Sequence, residues 1–503
     1  MLGRTHTVAF SGIDVLKVGT EVRIMSGLPA FSIVGLADKA VAESKERIRS
    51  ALTAVGLSLP AARITVNLAP ADVIKEGTHY DLPITAALLS AMGILTPAAI
   101  EDWFMMGELG LDGSIRSVSG VLPAAIEANR QNMGLVCPMT QGAEAAWSGN
   151  EKIIAPSSLI GLINHFKGIQ LLSPPVQNPL PEPSHTLDFK DIKGQETAKR
   201  AMEIAAVGGH NVLMIGPPGS GKSMLASRLP SIMPSMTMQE ILEVSNIHSV
   251  AGLLKDGHLI SSRPFRDPHH SATTPALVGG GLRARPGEIS LAHGGILFLD
   301  ELPEFTRTTL EALRQPLETG KVSVARANMH VTYPARFQLI AAMNPCRCGY
   351  LGMPGHECFR APRCAEEYQS KISGPLLDRI DLHVDVPAVA PWELGQGGGE
   401  SSAVIRKRVE RAIEFSADRF KELPIQKNAQ ADGNILEKIA CMQDDAKALL
   451  ITAAEKLMLS ARGYHRIMRV ARTIADLEQS ESIKKIHISE ALSFRKPLKH
   501  KEG

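Results

Sequence analysis

The sequence predicts a multidomain α/β protein in which an N-terminal α+β region precedes a parallel α/β unit and a helical C-terminal region. Three observations favour this fold class. The chain has 503 residues, enough for about three domains. An apolar strand pattern at residues 211–215 runs directly into a glycine-rich turn and a helix, and amphipathic helical patterns dominate beyond residue 402.

Composition excludes several classes of protein. The hydrophobic fraction of 44% and the charged fraction of 21% are typical of a folded globular chain. Lys and Arg total 54 against 52 Asp and Glu, which excludes a histone-like basic binder but allows a local basic channel. The uncharged stretch Leu82–Ile100 contains two prolines, so it predicts a buried helix rather than a membrane span. Six cysteines without an export signal indicate a reducing cytoplasm.

A proline-rich segment, Ser173–His185, marks the clearest boundary in the chain. Its five prolines restrict the backbone and predict a semi-rigid linker. We therefore expect domains at residues 1–172, 188–390 and 391–503, joined first by a linker at 173–187. Mixed patterns predict the elements of the first domain: strands at Thr5–Phe10 and Arg63–Leu68, and helices at Ala40–Val55 and Ile84–Met92. Helices are predicted in the third domain at Ala403–Phe420, Asp444–Leu459 and Tyr464–Leu477.

A phosphate-binding loop follows the strand at Asn211–Ile215. The segment has the pattern G-x-x-x-x-G-K-S and is followed by a helical pattern at Met224–Leu229. Backbone N–H groups of such a loop, together with the helix N-terminus, bind phosphate oxygens. Lys222 is expected to reach the β- and γ-phosphates, and the Ser223 hydroxyl to bind magnesium. The predicted nucleotide-binding residues are Gly216, Pro217, Pro218, Gly219, Ser220, Gly221, Lys222, Ser223 and Asp300.

Two carboxylates follow a second apolar strand, Ile296–Leu299. Alone, Asp300 and Glu301 would be typical of a solvated loop, but in combination with the phosphate loop they predict catalytic acids. Asp300 would orient the magnesium ion, and Glu301 would act as general base on water. A third strand, Gln338–Ala342, ends near Asn344, whose amide either holds the water or serves as a turn residue.

Four segments in this order resemble AAA+ ATPases of the magnesium-chelatase-like group: GPPGSGKS, ILFLDEL, AAMNPC and SGPLLDRID. The resemblance is closest to the ComM/YifB family, bacterial proteins implicated in DNA branch migration during natural transformation, and it covers nearly the whole chain. It implies an AAA+ core and a C-terminal helical lid. It also implies a cytoplasmic, hexameric ring that uses ATP and Mg²⁺ to translocate or unwind single-stranded or branched DNA during homologous recombination, with recombinases as candidate partners.

The same resemblance implies roles for residues that spacing alone does not assign. Asn344 corresponds to the sensor-1 residue, and Arg379 to the arginine finger that acts on a neighbouring subunit's ATP. Arg462 or Arg466 corresponds to the sensor-2 arginine of the lid. Taken without the family, the arginines at helical spacing are equally typical of a solvated helix face: Arg462, Arg466, Arg469 and Arg472.

Two N-terminal segments, Lys75–Leu82 and Gly107–Gly113, resemble the proteolytic domain of Lon-type proteases. That family uses a Ser–Lys dyad, and the corresponding positions here are His79 and Pro123. A nucleophile needs a hydroxyl and its base needs a titratable amine, so the resemblance implies a Lon-like fold without peptidase chemistry. We expect this domain to serve DNA binding or ring assembly.

Two segments are candidates for DNA contact. Lys321–Phe337 predicts a hairpin carrying Lys321, Arg326 and His330, which either tracks a phosphate backbone or simply packs on the sheet. The glycine- and arginine-rich segment Arg263–Arg285 offers Arg266 and Arg283. Its adjacent His269 and His270 are not expected to bind a metal, since adjacent histidines rarely share an ion without nearby acids.

Four cysteines lie within the loop at 344–365: Cys346, Cys348, Cys358 and Cys364. Four thiolates suit tetrahedral zinc, which would stabilise a loop that has no core of its own, with His356 as a substitute ligand. The alternative is four free thiols. Cys137 and Cys441 are isolated and are expected to be buried apolar residues.

Three other functions fit parts of the pattern. A protein-remodelling motor would need an aromatic pore loop, and neither candidate pore segment has an obvious one. A magnesium-chelatase motor subunit fits the ATPase motifs but not the fused N-terminal domain. A nucleotide-gated scaffold would have no need of the general base Glu301.

Overall fold

The computed structural model describes residues 2–182, 186–281, 284–326, 329–351, 358–389 and 398–495, with residues 325, 326 and 329 described by their backbone alone. It contains a mixed N-terminal sheet, a parallel central sheet and a helical C-terminal region. Short 3₁₀ turns occur at Thr78–Tyr80, Met139–Gln141, Phe189–Asp191, Leu302–Glu304 and Asn428–Gln430.

The N-terminal sheet has the strand order β3-β4-β2-β1-β5-β8-β9. Its strands and the neighbouring β6–β7 hairpin are β1 (Leu2–Ser11), β2 (Asp14–Met25), β3 (Ala30–Val34), β4 (Arg63–Ala69), β5 (Trp103–Met105), β6 (Glu108–Leu109), β7 (Ile115–Arg116), β8 (Gly134–Val136) and β9 (Ile153–Ile154). β1 pairs antiparallel with β2 and parallel with β5. The predicted N-terminal strands are therefore confirmed as parts of one mixed sheet.

Helices cover this sheet: α1 (Lys39–Ala42), α2 (Ser44–Ala54), α3 (Asp81–Ala91), α4 (Pro97–Ile100), α5 (Val121–Arg130), α6 (Gly142–Ala146) and α7 (Leu159–Phe166). Every residue of α3 is buried, which confirms the predicted internal helix. The single helix predicted from Ala40 is instead divided at Glu43. The break directs the Ser44 hydroxyl to Asp81, which it contacts at 2.5 Å.

The central sheet is parallel, with the strand order β11-β14-β17-β10-β18. The strands of this region are β10 (Val212–Ile215), β11 (Phe265–Arg266), β12 (Gly279–Gly280), β13 (Arg285–Pro286), β14 (Ile296–Leu299), β15 (Lys321–Arg326), β16 (Met329–Pro334), β17 (Gln338–Met343) and β18 (Leu382–Asp385). Val212 and Met214 of β10 enter one core, and Leu213 enters the core on the opposite face. A strand buried on both faces explains the continuous apolar run.

Helices of the central region flank that sheet: α8 (Glu196–Gly208), α9 (Lys222–Ile232), α10 (Met238–Ala251), α11 (Thr274–Val278), α12 (Glu288–Leu291), α13 (Arg307–Ala312), α14 (Arg314–Thr319), α15 (Arg363–Gln369) and α16 (Gly374–Leu377). The C-terminal region contains α17 (Ser402–Phe420), α18 (Gly433–Ala440), α19 (Asp444–Lys456), α20 (Ala461–Leu477) and α21 (Lys485–Ser493). The three predicted C-terminal helices are confirmed, and each differs from the prediction at one end, by one to three residues.

The N-terminal and central regions are in direct contact. The backbone N–H of Gly120, before α5, donates to the carbonyl of Ser249 in α10. Leu122 shares a small apolar core with Ile241 and Val244 of the same helix. Residues 173–182 form neither helix nor strand, but the hydroxyl of Ser261 donates to the carbonyl of Pro181 at 2.7 Å. The linker is therefore held against the central region.

Two smaller sequence predictions have different outcomes. Cys137 is buried, as expected, whereas Cys441 is exposed, so the prediction for Cys441 is wrong. Cys441 directly follows α18 and adopts a positive φ of 30°, which turns its side chain away from the helix core. Within the described ranges, no helix combines the length and apolar character needed to cross a membrane.

Candidate nucleotide-binding site

The phosphate loop connects β10 to α9 at one edge of the parallel sheet. Gly219 and Gly221 have φ values of 74° and 90°, a backbone conformation that favours glycine. Gly216 is required for a different reason, because a Cβ there would lie 2.0 Å from the carbonyl oxygen of Val386. The turn therefore places backbone N–H groups at the N-terminus of α9, the arrangement that binds phosphate.

Lys222 joins the phosphate loop to the end of β17. Its Nζ donates to the carbonyl oxygens of Gly216 at 2.8 Å and Pro217 at 2.9 Å. It also lies 3.3 Å from Oδ1 of Asn344. Burial lowers the pKa of Lys222, and the charges of Asp300 and Glu301 oppose that shift. The lysine and the predicted sensor residue thus converge because β10 and β17 are neighbours in the sheet.

Ser223 and Asp300 are in direct contact. The Ser223 hydroxyl donates to Oδ2 of Asp300 at 2.8 Å. Hydroxyl and carboxylate oxygens are the ligands that Mg²⁺ prefers, alongside water and nucleotide phosphates. The two residues predicted to hold magnesium are brought together from the start of α9 and the end of β14, so the donor set fits this ion.

Glu301 has a conformation that the sequence did not predict. Its φ is 51°, and its backbone N–H donates to Oδ1 of Asp300 at 2.8 Å. Half of its side chain is exposed, and Oε2 lies 3.5 Å from Nδ1 of His270. Sequence reasoning considered His270 only as a metal ligand and missed this contact. It arises because β11 and β14 pair in parallel, so the segment after β11 passes the end of β14.

Arg379 lies on a surface shared with Glu318 and Arg462. Its guanidinium forms an ion pair with Glu318 at the end of α14 and donates to the carbonyl of Pro375 at 2.8 Å. The hydrogen bond and charge of Arg379, followed by the charge of Arg462, hold the pKa of Glu318 below its usual value. Two predicted arginines therefore share one surface, and Glu318 is a residue that sequence reasoning missed.

Arg466 is buried and connects α20 to the segment that carries Arg379. Its Nη1 donates to the carbonyl of Ile380 at 3.0 Å, and its Nη2 contacts Oδ1 of Asp378 at 3.0 Å. Arg472 is completely buried and paired with Asp476. These contacts rule out a solvated face for Arg466 and Arg472. The sensor-2 roles of Arg462 and Arg466 remain predictions.

The four cysteines of the loop after β17 form one cluster. Their Sγ atoms all lie within 4.8 Å of one another, and those of Cys346 and Cys348 are 3.2 Å apart. Cys346 is buried, Cys348 is exposed, and Cys358 and Cys364 are half-buried. The cluster is compatible with a metal ion. His356, the alternative ligand, lies outside the described residues.

The candidate DNA contacts are placed unequally. β15 and β16 form the predicted antiparallel hairpin, with Lys321 exposed at its base. Arg266 forms a two-pronged ion pair with Glu288 at 2.5 and 2.7 Å, which offsets its charge. The side chain of Arg326 and the whole of Arg283 lie outside the described residues. A DNA-binding role for these four residues remains a prediction.

His79 is buried in the N-terminal region, where its Nε2 lies 2.9 Å from the carbonyl oxygen of Val8. Burial lowers the pKa of His79 to about 4, so the imidazole is neutral at physiological pH. Pro123 lies buried in the first turn of α5. His79 lines a cavity that is also lined by the hairpin residues Val331 and Tyr333.

Three family models match the chain in succession. Subunit ChlI of Mg-chelatase matches residues 20–141. Magnesium chelatase, subunit ChlI, matches residues 188–394, and the ChlI C-terminal model matches residues 399–495. The first match covers part of the mixed-sheet region, the second covers the parallel-sheet region, and the third covers the C-terminal helices.

Curated relatives extend this similarity over nearly the whole chain. Uncharacterized protein YifB of Salmonella typhimurium is 43% identical over 496 residues, covering 98% of this chain and 97% of the relative. Competence protein ComM of Haemophilus influenzae is 41% identical over 503 residues, with the same coverage. The magnesium-chelatase 38 kDa subunit of Cereibacter sphaeroides is 24% identical over 327 residues, covering 60% of this chain and 88% of the relative.

Proposed function

The chain belongs to the ComM/YifB family of magnesium-chelatase-like proteins, and on this premise we propose that it is an ATP-driven, ring-forming DNA translocase. Its task is branch migration of incoming DNA during homologous recombination in natural transformation. The name of the Haemophilus relative, a competence protein at 41% identity, supports this task. We place the protein in the bacterial cytoplasm, with single-stranded or branched DNA as substrate and recombinases as partners.

The observation that carries the proposal is the convergence of catalytic groups at the sheet edge. Lys222 reaches both the phosphate loop and Asn344, and Ser223 bonds to Asp300. Bound MgATP supplies a γ-phosphoryl group that water can attack. Lys222 neutralises phosphate charge, Ser223 and Asp300 hold the metal ion, and Glu301 accepts the proton of the water through a carboxylate oxygen.

Hydrolysis at a subunit boundary requires a residue from the neighbouring chain. Arg379 takes this role in our proposal, because its guanidinium pairs with the exposed carboxylate of Glu318, close to the charge of Arg462. An arginine finger supplied in trans stabilises transition-state charge only in the assembled ring, so hydrolysis depends on assembly. Arg462 serves as sensor-2 arginine, and Arg466 positions the finger segment through its bonds to Asp378 and Ile380.

We divide the chain into a Lon-protease-like domain at 1–172, a linker at 173–187, an AAA+ core at 188–390 and a helical lid at 391–503. The parallel strand order and the position of β10 beside β17 support the AAA+ assignment. His79 and Pro123 at the dyad positions support a domain that lacks peptidase activity. This domain serves DNA binding or ring assembly in our proposal, and the contact of Gly120 with α10 attaches it to the central region of its own chain.

DNA contact is assigned to the β15–β16 hairpin and to the segment Arg263–Arg285. Lys321 and Arg326 of the hairpin, with Arg283 of the second segment, supply positive charge for phosphates. Arg266 contributes its charge when DNA displaces Glu288 from the ion pair. Val322 and Val331 anchor the hairpin in the core on one face of the sheet.

Strand displacement on forked and three-stranded DNA tests the proposal. We expect ATP-dependent displacement by the wild-type chain and none by Glu301→Gln, which retains the fold and the nucleotide-binding loop. ATP hydrolysis without DNA association at low salt, in any nucleotide state, would overturn the translocase assignment. That result would leave a motor with another cargo, either a protein substrate or the partner subunits of a chelatase.

A further inference from the structure

We propose that Cys346, Cys348, Cys358 and Cys364 bind one zinc ion, and that this ion holds the turn Cys346–Gly349 against the phosphate loop. The metal would thereby keep the loop ordered for nucleotide binding. The proposal of a zinc site rests on the thiol cluster alone. The proposed effect on nucleotide binding rests on the proposed ATPase function, because it is measured as affinity for an ATP analogue.

The separation of the thiols matches a tetrahedral sulfur site. Zn–S bonds of about 2.3 Å place the sulfurs of such a site about 3.8 Å apart. All four Sγ atoms lie within 4.8 Å of one another, and the Cys346–Cys348 pair is 3.2 Å apart. Small ligand movements therefore suffice to enclose an ion.

Burial of apolar thiols does not explain the cluster. Cys348 is exposed and Cys358 and Cys364 are half-buried, yet their sulfurs point to one place. A packed apolar core would exclude these sulfurs from solvent, as it does at Cys137. Four convergent thiols at a surface are instead typical of a structural metal site, where the ion replaces the missing core.

The ligands come from two local turns. The carbonyl of Cys346 accepts the N–H of Gly349 at 2.9 Å, which forms the first turn. In the second turn, the carbonyl of Cys358 accepts the N–H of Ala361 at 3.0 Å. Cys364 lies in the first turn of α15. The ion would therefore clamp the end of β17 to the start of α15.

The first turn packs directly on the phosphate loop. Gly349 has a φ of 82°, and a Cβ there would lie 2.6 Å from Cδ of Pro218. Only a residue without a side chain allows this approach. Cys346 and Cys348 flank the same turn, so metal ligation fixes the backbone that contacts Pro218.

The second ligand pair reaches the site through α15. The side-chain amide of Gln369 donates to the carbonyl of Pro345 at 2.9 Å. Tyr368 of α15 is buried, whereas Phe359, which directly follows Cys358, is exposed. A bound zinc ion would therefore link the turn that contacts Pro218 to α15, which in turn bonds to the Asn344–Pro345 segment through Gln369.

The metal content of the purified full-length chain tests whether the four cysteines bind zinc. We expect about one zinc ion per chain by elemental analysis, and release of that zinc when the thiols are chemically modified. Cys348→Ser and Cys358→Ser should each lower zinc content, whereas the exposed Cys441→Ser should retain it. Zinc far below one ion per chain, or iron in its place, would overturn the metal assignment.

Hydrogen exchange and nucleotide binding test whether the zinc site keeps the phosphate loop ordered. In Cys348→Ser and in chelator-treated wild type, we expect faster amide exchange at residues 216–223 and roughly tenfold weaker binding of a fluorescent ATP analogue. Gly349→Ala should keep its zinc but also show faster exchange at residues 216–223 and weaker binding of the analogue. This variant therefore tests the packing of the turn on the phosphate loop separately from zinc binding. Unchanged exchange at 216–223 after zinc loss would overturn the coupling.

The two proposals fail in distinguishable ways. A zinc-loaded wild type whose loop is protected from exchange but binds no ATP analogue would refute the ATPase function and leave the metal inference standing. Normal ATP binding in a wild type free of zinc would refute the metal inference and leave the ATPase function standing.

Discussion

His270 lies beside Glu301, with Nδ1 of the imidazole 3.5 Å from Oε2 of the carboxylate. Glu301 is our proposed general base, and His270 belongs to the segment Arg263–Arg285, which carries the candidate DNA contacts Arg266 and Arg283. The contact therefore links that segment directly to the Glu301 carboxylate, which is proposed to activate water. Any displacement of the segment by DNA would alter how the Glu301 side chain is held.

Replacement of His270 should therefore affect turnover rather than nucleotide affinity. The contact between His270 and Glu301 is partly exposed, so its loss should cost about 1 kcal/mol. We therefore expect His270→Ala to have a kcat about fivefold lower and an unchanged KM for ATP. Steady-state hydrolysis over a range of ATP concentrations measures both constants. His269→Ala is the comparison variant: Nδ1 of His269 bonds to Ser271 and its ring packs on His270, with centroids 4.0 Å apart, so only a smaller loss is expected. Equal losses in the two variants would contradict the positioning role.

Lys222 and Glu301 should separate nucleotide binding from hydrolysis. Lys222→Ala removes the ammonium that contacts Gly216 and Pro217, so we expect loss of ATP binding. Glu301→Gln keeps the shape of the side chain but cannot accept a proton, so binding should persist while kcat falls at least about a hundredfold. Equilibrium binding of a fluorescent ATP analogue and phosphate release measure the two steps. Normal turnover by Glu301→Gln would refute the general-base role.

Arg379 should act on a neighbouring subunit. Arg379→Ala is expected to lower kcat by about a thousandfold without weakening ATP binding, because the guanidinium stabilises charge only in the transition state. Mixing Arg379→Ala with Lys222→Ala protein should restore part of the activity, since the first supplies intact phosphate loops and the second supplies intact fingers. Absence of rescue in rings shown to contain both variants would contradict hydrolysis in trans.

Glu144 should make stability depend on pH. It is buried between the N-terminal and central regions, where Oε1 accepts from the Ser249 hydroxyl at 2.5 Å and from the N–H of Leu122 at 3.1 Å. Burial raises the pKa of this carboxyl, and these hydrogen bonds oppose the shift. The folded state thus binds the proton more tightly than the unfolded state, so the free energy of unfolding falls as pH rises through the folded pKa.

Thermal unfolding of wild type and Glu144→Gln checks this sign. Between pH 5 and pH 8, we expect the Tm of the wild type to fall relative to that of Glu144→Gln, because the amide does not ionise. Glu127→Gln is the control, since Glu127 also lies in the N-terminal region but pairs with Arg130 near the surface. A constant Tm difference between wild type and Glu144→Gln across this range would contradict the prediction.

Local sequence determined those features in which neighbouring residues act together. The strand, loop and helix around Lys222 occupy one continuous stretch, and backbone geometry alone turns its N–H groups inward. The β15–β16 hairpin and the C-terminal helices were predictable for the same reason, since periodicity reports which side of an element is buried. The four cysteines also lie close enough in the chain for a shared site to be predicted.

Tertiary structure decided which distant residues meet. Parallel strand pairing brings His270 to Glu301 and Asn344 to Lys222 across long separations in the chain, and no periodic pattern records such pairing. Packing of α20 against the segment before β18 buries Arg466, although its spacing equally suited a solvated face. The contact of Gly349 with Pro218 likewise exists only because the loop after β17 folds back over the phosphate loop, a close approach that depends on the absence of one side chain.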